Sequence, residues 1–413
     1  MFALASFIRR NYQASYPKEV PKHGTAIRFG LLGATDIAPS ALITPAKTHP
    51  DVIIAAIAAR DGKKAAAYAK KYKIPIVHPN YQALLDDPAI DAVYIALPNA
   101  HHLEWATKAL EAGKHVLLEK PSVANAQEAA TLFRNPLLSK PNSPVLLEAM
   151  HFRFHPAWQK LLSLIDQESI VEAHSTQHAP KGFVPLYGNV CKFNLAGGCL
   201  LGLGTYNVAT LRQVFGAEPV ECSDASCDRV PPGNDQEIDQ AFYATWRFTN
   251  GAVGSIEADM MADGGYSWPL TSEIPTIALP KLTIKHRDVV VEGDLPSDQE
   301  HIVTKTVTMW AWSFPFFYHR IDVENKHVVR TRLDGKTVKQ WSEIAYVKDY
   351  AGDSGVDSWT SYRFQLEEFV AKIRRKPGTG VWVEGEDSIS QMKMIDIAYT
   401  KAGLPLRSSS AKS

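Results

Sequence analysis

From Ile27 onward the sequence alternates apolar, strand-like runs with helix-compatible segments, and this alternation limits the fold more than any other feature. The first apolar run is Ile27–Leu32, a second covers residues 52–59, and a third covers residues 92–97. Parallel strands need long crossover connections, which are usually helices, so the pattern predicts a parallel sheet. We expect an α/β domain of this kind over residues 26–152.

The pattern changes after about residue 152. Long alternating stretches, such as residues 241–248 and 302–309, predict a large, mostly antiparallel open sheet with one face available to helices. A chain of 413 residues also exceeds what one hydrophobic core usually serves. The expected organisation is an N-terminal extension (1–25), the α/β domain (26–152), an α+β domain (153–407) and a flexible tail (408–413).

Composition argues against several classes of protein. Lys+Arg and Asp+Glu number 44 each, so the balanced chain is not expected to bind nucleic acid or an anionic membrane. No apolar run reaches the roughly 20 residues that span a bilayer. The four cysteines lack the spacing of a zinc or redox motif. We expect reduced thiols in a cytoplasmic protein without a metal, with a disulfide as the alternative.

A glycine-bearing turn follows the first strand. A dinucleotide-binding domain needs a tight turn here, so that backbone N–H groups and a helix N-terminus approach a pyrophosphate. Gly33 is the residue best suited to this turn, but Thr35 stands where the usual fingerprint has its second glycine. Taken alone, the segment fits an ordinary turn equally well.

The end of the second strand bears on the choice of cofactor. Enzymes that select NAD usually present a carboxylate at this point to the ribose hydroxyls, whereas an arginine pairs with the 2′-phosphate of NADP. Arg60 stands here and favours NADP, while the adjacent Asp61 keeps NAD as the alternative. A solvated arginine at a helix start is the interpretation without a cofactor.

The segment Glu119-Lys120-Pro121 closes another predicted strand. It places a lysine at the carboxyl edge of the sheet, where ligands bind in open α/β folds. Such a lysine can hydrogen-bond a substrate hydroxyl or lower the pKa of a neighbouring acid. A surface role is the alternative for an isolated strand-end lysine.

Taken together, the motifs resemble the Gfo/Idh/MocA oxidoreductases. The resemblance covers most of the chain from Ile27 and is thinner after Met260. It is carried, in order, by residues 33–38 (GATDIA), Pro98-Asn99 with His102, Glu119-Lys120-Pro121, and residues 197–206 (GGCLLGLGTY).

The resemblance implies a Rossmann domain followed by a substrate-binding domain whose open sheet often forms a homodimer. It also implies hydride transfer between NADP, or NAD, and a sugar, polyol or diol. Tyr206 with Lys120 resembles the branch of dihydrodiol dehydrogenases and NADP-dependent D-xylose dehydrogenases, which makes D-xylose oxidation the specific expectation. The residues expected to hold the cofactor are Gly33, Ala34, Thr35, Asp36, Ile37, Arg60, Leu97, Asn99, His102, Glu119 and Lys120.

Two residues are predicted to form the catalytic pair, Lys120 and Tyr206. A tyrosine with a pKa of about 10 is a poor base, and we expect the lysine ammonium to lower that pKa. The family commonly has an aspartate where this chain has Gly202. Its absence motivates a second hypothesis, a non-catalytic NADP-binding regulator of the same fold.

Further candidates lie beyond the first domain. His151 and Arg153 follow the last strand of the α/β domain, at the domain junction, and are predicted with Lys120 and Tyr206 to contact the substrate. Packing is the alternative for this segment. A dense aromatic group suits either a sugar-stacking wall or burial at a sheet or interface. Its members are Trp310, Trp312, Phe314, Phe316, Phe317 and Tyr318.

Overall fold

The computed structural model describes residues 2–182, 188–262, 265–266, 276–277, 279–293, 295–353 and 355–408. Most of the predicted tail, residues 409–413, lies outside this part of the chain. None of the described helices combines the length and apolar character that crossing a bilayer requires.

The α/β part is a six-stranded parallel sheet, as predicted. Its strands are β1 (Ile27–Leu32), β2 (Val52–Ala58), β3 (Ile76–His78), β4 (Ala92–Ile95), β5 (His115–Leu118) and β6 (Leu146–Glu148). Their order across the sheet is β3-β2-β1-β4-β5-β6. All four residues of β4 are buried, as expected for a central strand covered on both faces. The helices are α1 (Phe2–Ser15), α2 (Thr44–Lys47), α3 (Gly62–Tyr72), α4 (Tyr81–Leu85), α5 (His102–Glu111) and α6 (Ala126–Phe133).

The second part contains a nine-stranded mixed sheet among the described residues. Its strands are β7 (Ile170–Pro180), β8 (Glu221–Arg229), β9 (Asp239–Arg247), β10 (Val253–Ala262), β13 (Lys281–His286), β14 (Val289–Val291), β15 (Gln299–Trp310), β16 (Arg320–Thr331) and β17 (Thr337–Val347). The order is β17-β16-β15-β13-β7-β10-β9-β8, with β14 also paired to β15. All pairs are antiparallel except β7 with β10.

Four helices accompany this sheet, and a small separate pair of strands lies beside it. The helices are α7 (Pro156–Leu164), α8 (Thr205–Phe215), α9 (Ser361–Ile373) and α10 (Gly385–Lys401), and the strand pair is β11 (Gly265–Tyr266) with β12 (Thr276–Ile277). Helix α8 is buried along most of its length because it lies against β7 and β10. The predicted fold class, a Rossmann domain followed by an α+β domain with a large sheet, is confirmed.

The N-terminal extension is helical and packs on the second part of the chain. Arg10 is 5% exposed, and its guanidinium donates to the carbonyls of Phe316 and Phe317. The same guanidinium lies 3.5 Å from the centre of the Tyr350 ring. Helix α1 is therefore attached to the segment between β15 and β16.

Candidate active site

A cavity of about 710 Å³ lies where the carboxyl edge of the parallel sheet faces the large sheet. Lys120 and Leu97 line it from the first part of the chain, and Tyr206 lines it from the second. Much of the remaining wall is apolar or aromatic. It includes Leu279, Pro280, Phe314, Phe317, Tyr318 and Tyr362.

The predicted catalytic pair meets in this cavity. The Nζ atom of Lys120 lies 4.3 Å from the centre of the Tyr206 ring, over its face. The same atom donates a 2.7 Å hydrogen bond to the carbonyl of Gly202. The main-chain carbonyl of Gly202 therefore binds the lysine. This is the sequence position at which the Gfo/Idh/MocA oxidoreductases commonly have an aspartate.

The hydroxyl of Tyr206 is held by a buried histidine. Tyr206 lies at the start of α8 and is 4% exposed, and its Oη is 3.0 Å from Nε2 of His151. The other ring nitrogen of His151, Nδ1, is 2.8 Å from Oγ of Ser361, the first residue of α9. A chain of hydrogen bonds thus runs from the phenol to the N-terminus of a helix.

The expected lowering of the Tyr206 pKa is wrong. Burial raises the pKa of this phenol well above 10, and the phenol of Tyr362 and the carboxyl of Glu119 add to the rise. Lys120 lies over the ring and not beside the hydroxyl, so desolvation dominates. Burial also lowers the pKa of the Lys120 ammonium below 10.5. Tyr206 is therefore a neutral phenol.

Glu119, the residue before Lys120, is hydrogen-bonded at the same strand end. Its Oε1 accepts a 2.6 Å hydrogen bond from Tyr94, and its Oε2 accepts from the backbone N–H of Lys120. Burial raises the pKa of this carboxyl, while the neighbouring ammonium opposes the rise. Glu119 lines the cavity, but its two oxygens already have partners within the protein.

A second groove, of about 490 Å³, runs from Lys120 to the turn after β1. Ala34, Thr35, Asp36, Ile37 and Asn99 line it. The backbone there suits a dinucleotide, because the turn opens with a glycine in a conformation that other residues rarely adopt.

That glycine is Gly33, with a φ of +103°, and its N–H donates to the carbonyl of Ala58. A Cβ at this position would stand 3.2 Å from the side chains of Leu97 and Thr35. The Oγ1 atom of Thr35 is buried without a hydrogen-bond partner among the described residues. The turn therefore requires a glycine at position 33, and it offers an unused polar atom on Thr35 for a bound phosphate or ribose.

Arg60 and Asp61, which follow the end of β2, differ in their hydrogen bonds to the rest of the protein. The carboxylate of Asp61 accepts from the backbone N–H groups of Lys63 and Lys64 and caps α3. Arg60 is exposed and does not line the groove described above, although it lies two residues after the end of β2. Lys64 does line the groove, and no motif in the sequence predicted this.

Two of the predicted site residues, His102 and Arg153, are bonded to groups of the protein itself. Both nitrogens of His102 face carbonyls, those of Pro121 and Leu97, and burial lowers the pKa of this ring to about 4. His102 therefore joins two strand-end segments, although its side chain borders the cavity. The guanidinium of Arg153 binds Asp387 and the carbonyl of Trp382, and Arg153 is not among the residues that line the cavity.

His151 lies behind Tyr206. It is 1% exposed and is not among the residues that line the cavity, and its hydrogen bond to Tyr206 connects it to the site. The aromatic residues between 310 and 318 were predicted either to line a substrate site or to be buried, and the structure shows both. Phe314, Phe317 and Tyr318 line the cavity, whereas Trp312 and Phe316 are buried in the core.

Comparison with known proteins decides the family. Residues 27–135 match the oxidoreductase family with an NAD-binding Rossmann fold, and residues 160–277 match the GFO/IDH/MocA C-terminal domain. A D-xylose 1-dehydrogenase (NADP(+)) of Haloferax volcanii is 32% identical over 379 residues, which cover 91% of this chain and 97% of that protein. The chain belongs to the GFO/IDH/MocA oxidoreductase family. The family predicted from the motifs is confirmed.

Other relatives match in part. An uncharacterised oxidoreductase of Rhizobium meliloti is 34% identical over 47% of this chain, and the matched region spans 57% of that relative. The trans-1,2-dihydrobenzene-1,2-diol dehydrogenase of Mus musculus is 32% identical over 58% of this chain and 70% of its own length.

Solved structures share the fold. A 3-ketoreductase from Actinomadura kijaniata, in complex with NADP and TDP-benzene, superposes with a TM-score of 0.66 at 20% identity. It covers 91% of this GFO/IDH/MocA chain and 98% of its own. An aldose-aldose oxidoreductase from Caulobacter crescentus superposes at 0.67 with 16% identity, over 92% and 98% of the two chains.

Proposed function

We propose that this protein is an NADP-dependent oxidoreductase that interconverts a secondary alcohol and its carbonyl form, with Tyr206 as the proton donor and Lys120 as its charged partner. One observation carries the proposal. A neutral, buried phenol held by His151 and an ammonium held by Gly202 meet beside a groove suited to a dinucleotide.

The cofactor assignment rests on the turn after β1 and on the end of β2. The turn has Gly33 at a positive φ, which brings its backbone close to Leu97 and Thr35, and an unused hydroxyl on Thr35. Asp61, whose carboxylate would favour NAD, is engaged in capping α3, so the charges nearby for a 2′-phosphate are those of Arg60, after the strand end, and Lys64, in the groove. The Haloferax volcanii relative is named for its use of NADP(+). When bound, the nicotinamide supplies or accepts the hydride.

The chain's own residues handle the proton. A neutral phenol can give its proton to a carbonyl oxygen, so the protonated form of Tyr206 is the one that acts in reduction, and its phenolate accepts the proton in oxidation. If the hydroxyl of Ser361 donates to Nδ1 of His151, the ring carries its proton on Nε2 and donates to the Tyr206 oxygen. That bond leaves the phenolic proton directed to the substrate and stabilises the phenolate that remains.

The wall of the cavity favours an uncharged substrate with an apolar body. Lys120 is the ammonium at the site, and its Nζ already binds Gly202 and faces Tyr206. A phosphorylated or nucleotide-linked sugar would need further cations, and the aromatic residues of the wall suit a substrate with an apolar ring better than a free pentose such as D-xylose, which carries hydroxyls all round its ring. We therefore favour a ring-bearing alcohol or diol over D-xylose, and we retain D-xylose as the second candidate because of its full-length relative. The homodimer stays a prediction.

The test is a substrate screen with the Tyr206→Phe variant. D-xylose and trans-cyclohexane-1,2-diol are supplied with NADP+ or NAD+, and cyclohexane-1,2-dione with NADPH. The variant should lose about a hundredfold or more in kcat and keep its affinity for NADPH. Tyr318→Phe is the matched control, because this phenol lines the same cavity without contacting Lys120. Tight NADPH binding with no turnover of any compound would support the non-catalytic regulator instead.

A further inference from the structure

Two buried polar atoms in the cavity have no hydrogen-bond partner among the described residues. They are Oε1 of Gln177 and Oγ of Ser313, on residues that are 3% and 0% exposed. Both residues line the cavity that holds Tyr206 and Lys120. Because buried polar groups are nearly always hydrogen-bonded, a pair of unpartnered ones in a ligand cavity indicates where a polar group of the ligand binds.

Gln177 lies on the face of β7 that α8 covers. Side chains two residues apart in a strand share a face, so Gln177 points to the same side as Ser175. The Oγ atom of Ser175 accepts hydrogen bonds from Asn207, at 3.1 Å, and from Thr210, at 3.0 Å, both on α8. Tyr206 immediately precedes Asn207. The amide of Gln177 is therefore fixed near the N-terminal end of the helix that carries the phenol.

Ser313 reaches the same end of the sheet from a different strand. It belongs to the segment that follows β15, and this segment is tied to the start of β13 by a hydrogen bond from the Ala311 N–H to the Pro280 carbonyl. Strand β13 pairs with β7 through Lys281 and Thr176, the neighbour of Gln177. The sheet thus brings the serine segment and the glutamine to adjoining strand ends.

We propose that Gln177 and Ser313 form a subsite for a second, uncharged hydroxyl of the substrate, next to the carbon that reacts at Tyr206. The proposal rests on the proposed function and narrows its substrate class to vicinal diols and α-hydroxyketones on an apolar ring. The amide oxygen accepts the substrate O–H, and the serine hydroxyl either donates to or accepts from the same oxygen. Both groups are neutral, so the subsite discriminates against a carboxylate or a phosphate.

The experiment compares trans-cyclohexane-1,2-diol with cyclohexanol, two probes that differ by this one hydroxyl. Oxidation by NADP+ is measured as kcat/KM, and binding to the NADP+-loaded enzyme is measured separately by calorimetry. The wild type should prefer the diol by roughly tenfold or more in both measurements, since a site built for a hydroxyl rejects the analogue that lacks it.

Gln177→Leu keeps the bulk of the side chain and should reduce that preference to near one, and Ser313→Ala should reduce it in part. Thr283→Val is the matched control. Its Oγ1 is also without a partner among the described residues, but Thr283 does not line the cavity. The control should retain the full preference for the diol.

The binding measurement tests the subsite, and the oxidation measurement tests the proposed function, so the failure of one can be distinguished from the failure of the other. If the wild type binds the diol selectively but oxidises neither probe, the proposed function fails and the subsite stands. If the wild type oxidises or binds the two probes equally well, or if Gln177→Leu keeps the preference for the diol, the subsite is overturned while the proposed function survives.

Discussion

The ammonium of Lys120 stands over the ring of Tyr206, 4.3 Å from its centre, and is anchored there by the carbonyl of Gly202. A positive charge in this place stabilises negative charge that develops on the phenol, or on the reacting oxygen, as the proton moves. If the proposed function is right, we therefore expect the protonated lysine to be the active form in reduction.

This role predicts a pH dependence. Burial lowers the pKa of Lys120 below 10.5, so the charge is present at low pH and is lost as the pH rises through a value below 10.5. The kcat/KM for reduction of cyclohexane-1,2-dione should fall on this basic side. Lys120→Arg stays charged throughout and should lack the basic limb, even if its overall rate is lower. Identical basic limbs in the two profiles would contradict the assignment.

The bond between His151 and Tyr206 predicts a loss in kcat without a loss in binding. His151→Phe keeps a ring beside Tyr206 and Tyr362 but removes the donor to the phenol oxygen. We expect kcat to fall about tenfold to a hundredfold, with KM and the Kd of NADPH changed less than about twofold. Ser361→Ala should give a smaller decrease in the same direction. A His151→Phe enzyme with full kcat would remove the histidine from the mechanism.

Arg60 predicts the choice of cofactor. If its guanidinium pairs with the 2′-phosphate, Arg60→Ala should raise the KM for NADPH by about tenfold to a hundredfold and leave the KM for NADH unchanged. Lys63→Ala is the control, because Lys63 is an equally exposed cation near the end of β2 to which no role in binding the cofactor is assigned. Equal losses with NADPH and NADH would place the 2′-phosphate elsewhere.

Local pattern predicted much of the fold and part of the site. The bounds of β1 and the starts of β2 and β4 agree with the predicted apolar runs, and the meeting of Lys120 with Tyr206 agrees with the motif order. The strand β7 was not predicted because its buried positions carry small or polar residues such as Ala173, Ser175 and Gln177, so no alternation of apolar and polar residues marks it.

The rest of the site depends on long-range packing. Gln177 becomes a cavity residue only through the contact between β7 and α8, and no local pattern encodes that contact. The predicted lowering of the Tyr206 pKa was wrong because it, too, depends on long-range packing. Proximity to a lysine was predictable from motifs, but the degree of burial that outweighs it was not.

Helix α1 predicts a role for residues outside the matched family regions. Arg10 donates to the carbonyls of Phe316 and Phe317, and Phe317 lines the cavity. Arg10→Met should cost about 1–3 kcal/mol of the free energy of unfolding, because the carbonyls lose their donor, and it should raise the substrate KM. Arg9→Met should change the free energy of unfolding by less than about 1 kcal/mol, because its side chain is 62% exposed and that of its partner Asp357 is 39% exposed, so water screens the pair. Urea unfolding and steady-state kinetics on both variants check the expectation.

A buried ion pair joins the C-terminal segment to the start of β9, which in turn is bonded to the segment before α8. Arg407 and Asp239, both with fully buried side chains, are 2.7 Å apart, and Arg407 also donates to the carbonyl of Gly197. Asp239 in turn accepts from the N–H of Leu200, a few residues before Tyr206. Removing the guanidinium leaves a buried carboxylate without its charged partner, so Arg407→Met should cost about 3–5 kcal/mol of the free energy of unfolding near neutral pH.

The loss in the free energy of unfolding of Arg407→Met should increase with pH. Burial raises the pKa of Asp239 to about 6 even with the guanidinium present, and without it the pKa should rise further. A carboxyl whose pKa is raised on folding is tolerated when protonated and destabilises the fold as the pH increases through its folded pKa. Arg407→Met should therefore be closer to the wild type at pH 5 than at pH 8. The double variant Arg407→Met/Asp239→Asn should recover part of the loss at pH 8, and equal destabilisation at both pH values would show that the charge of Asp239 is not its cause.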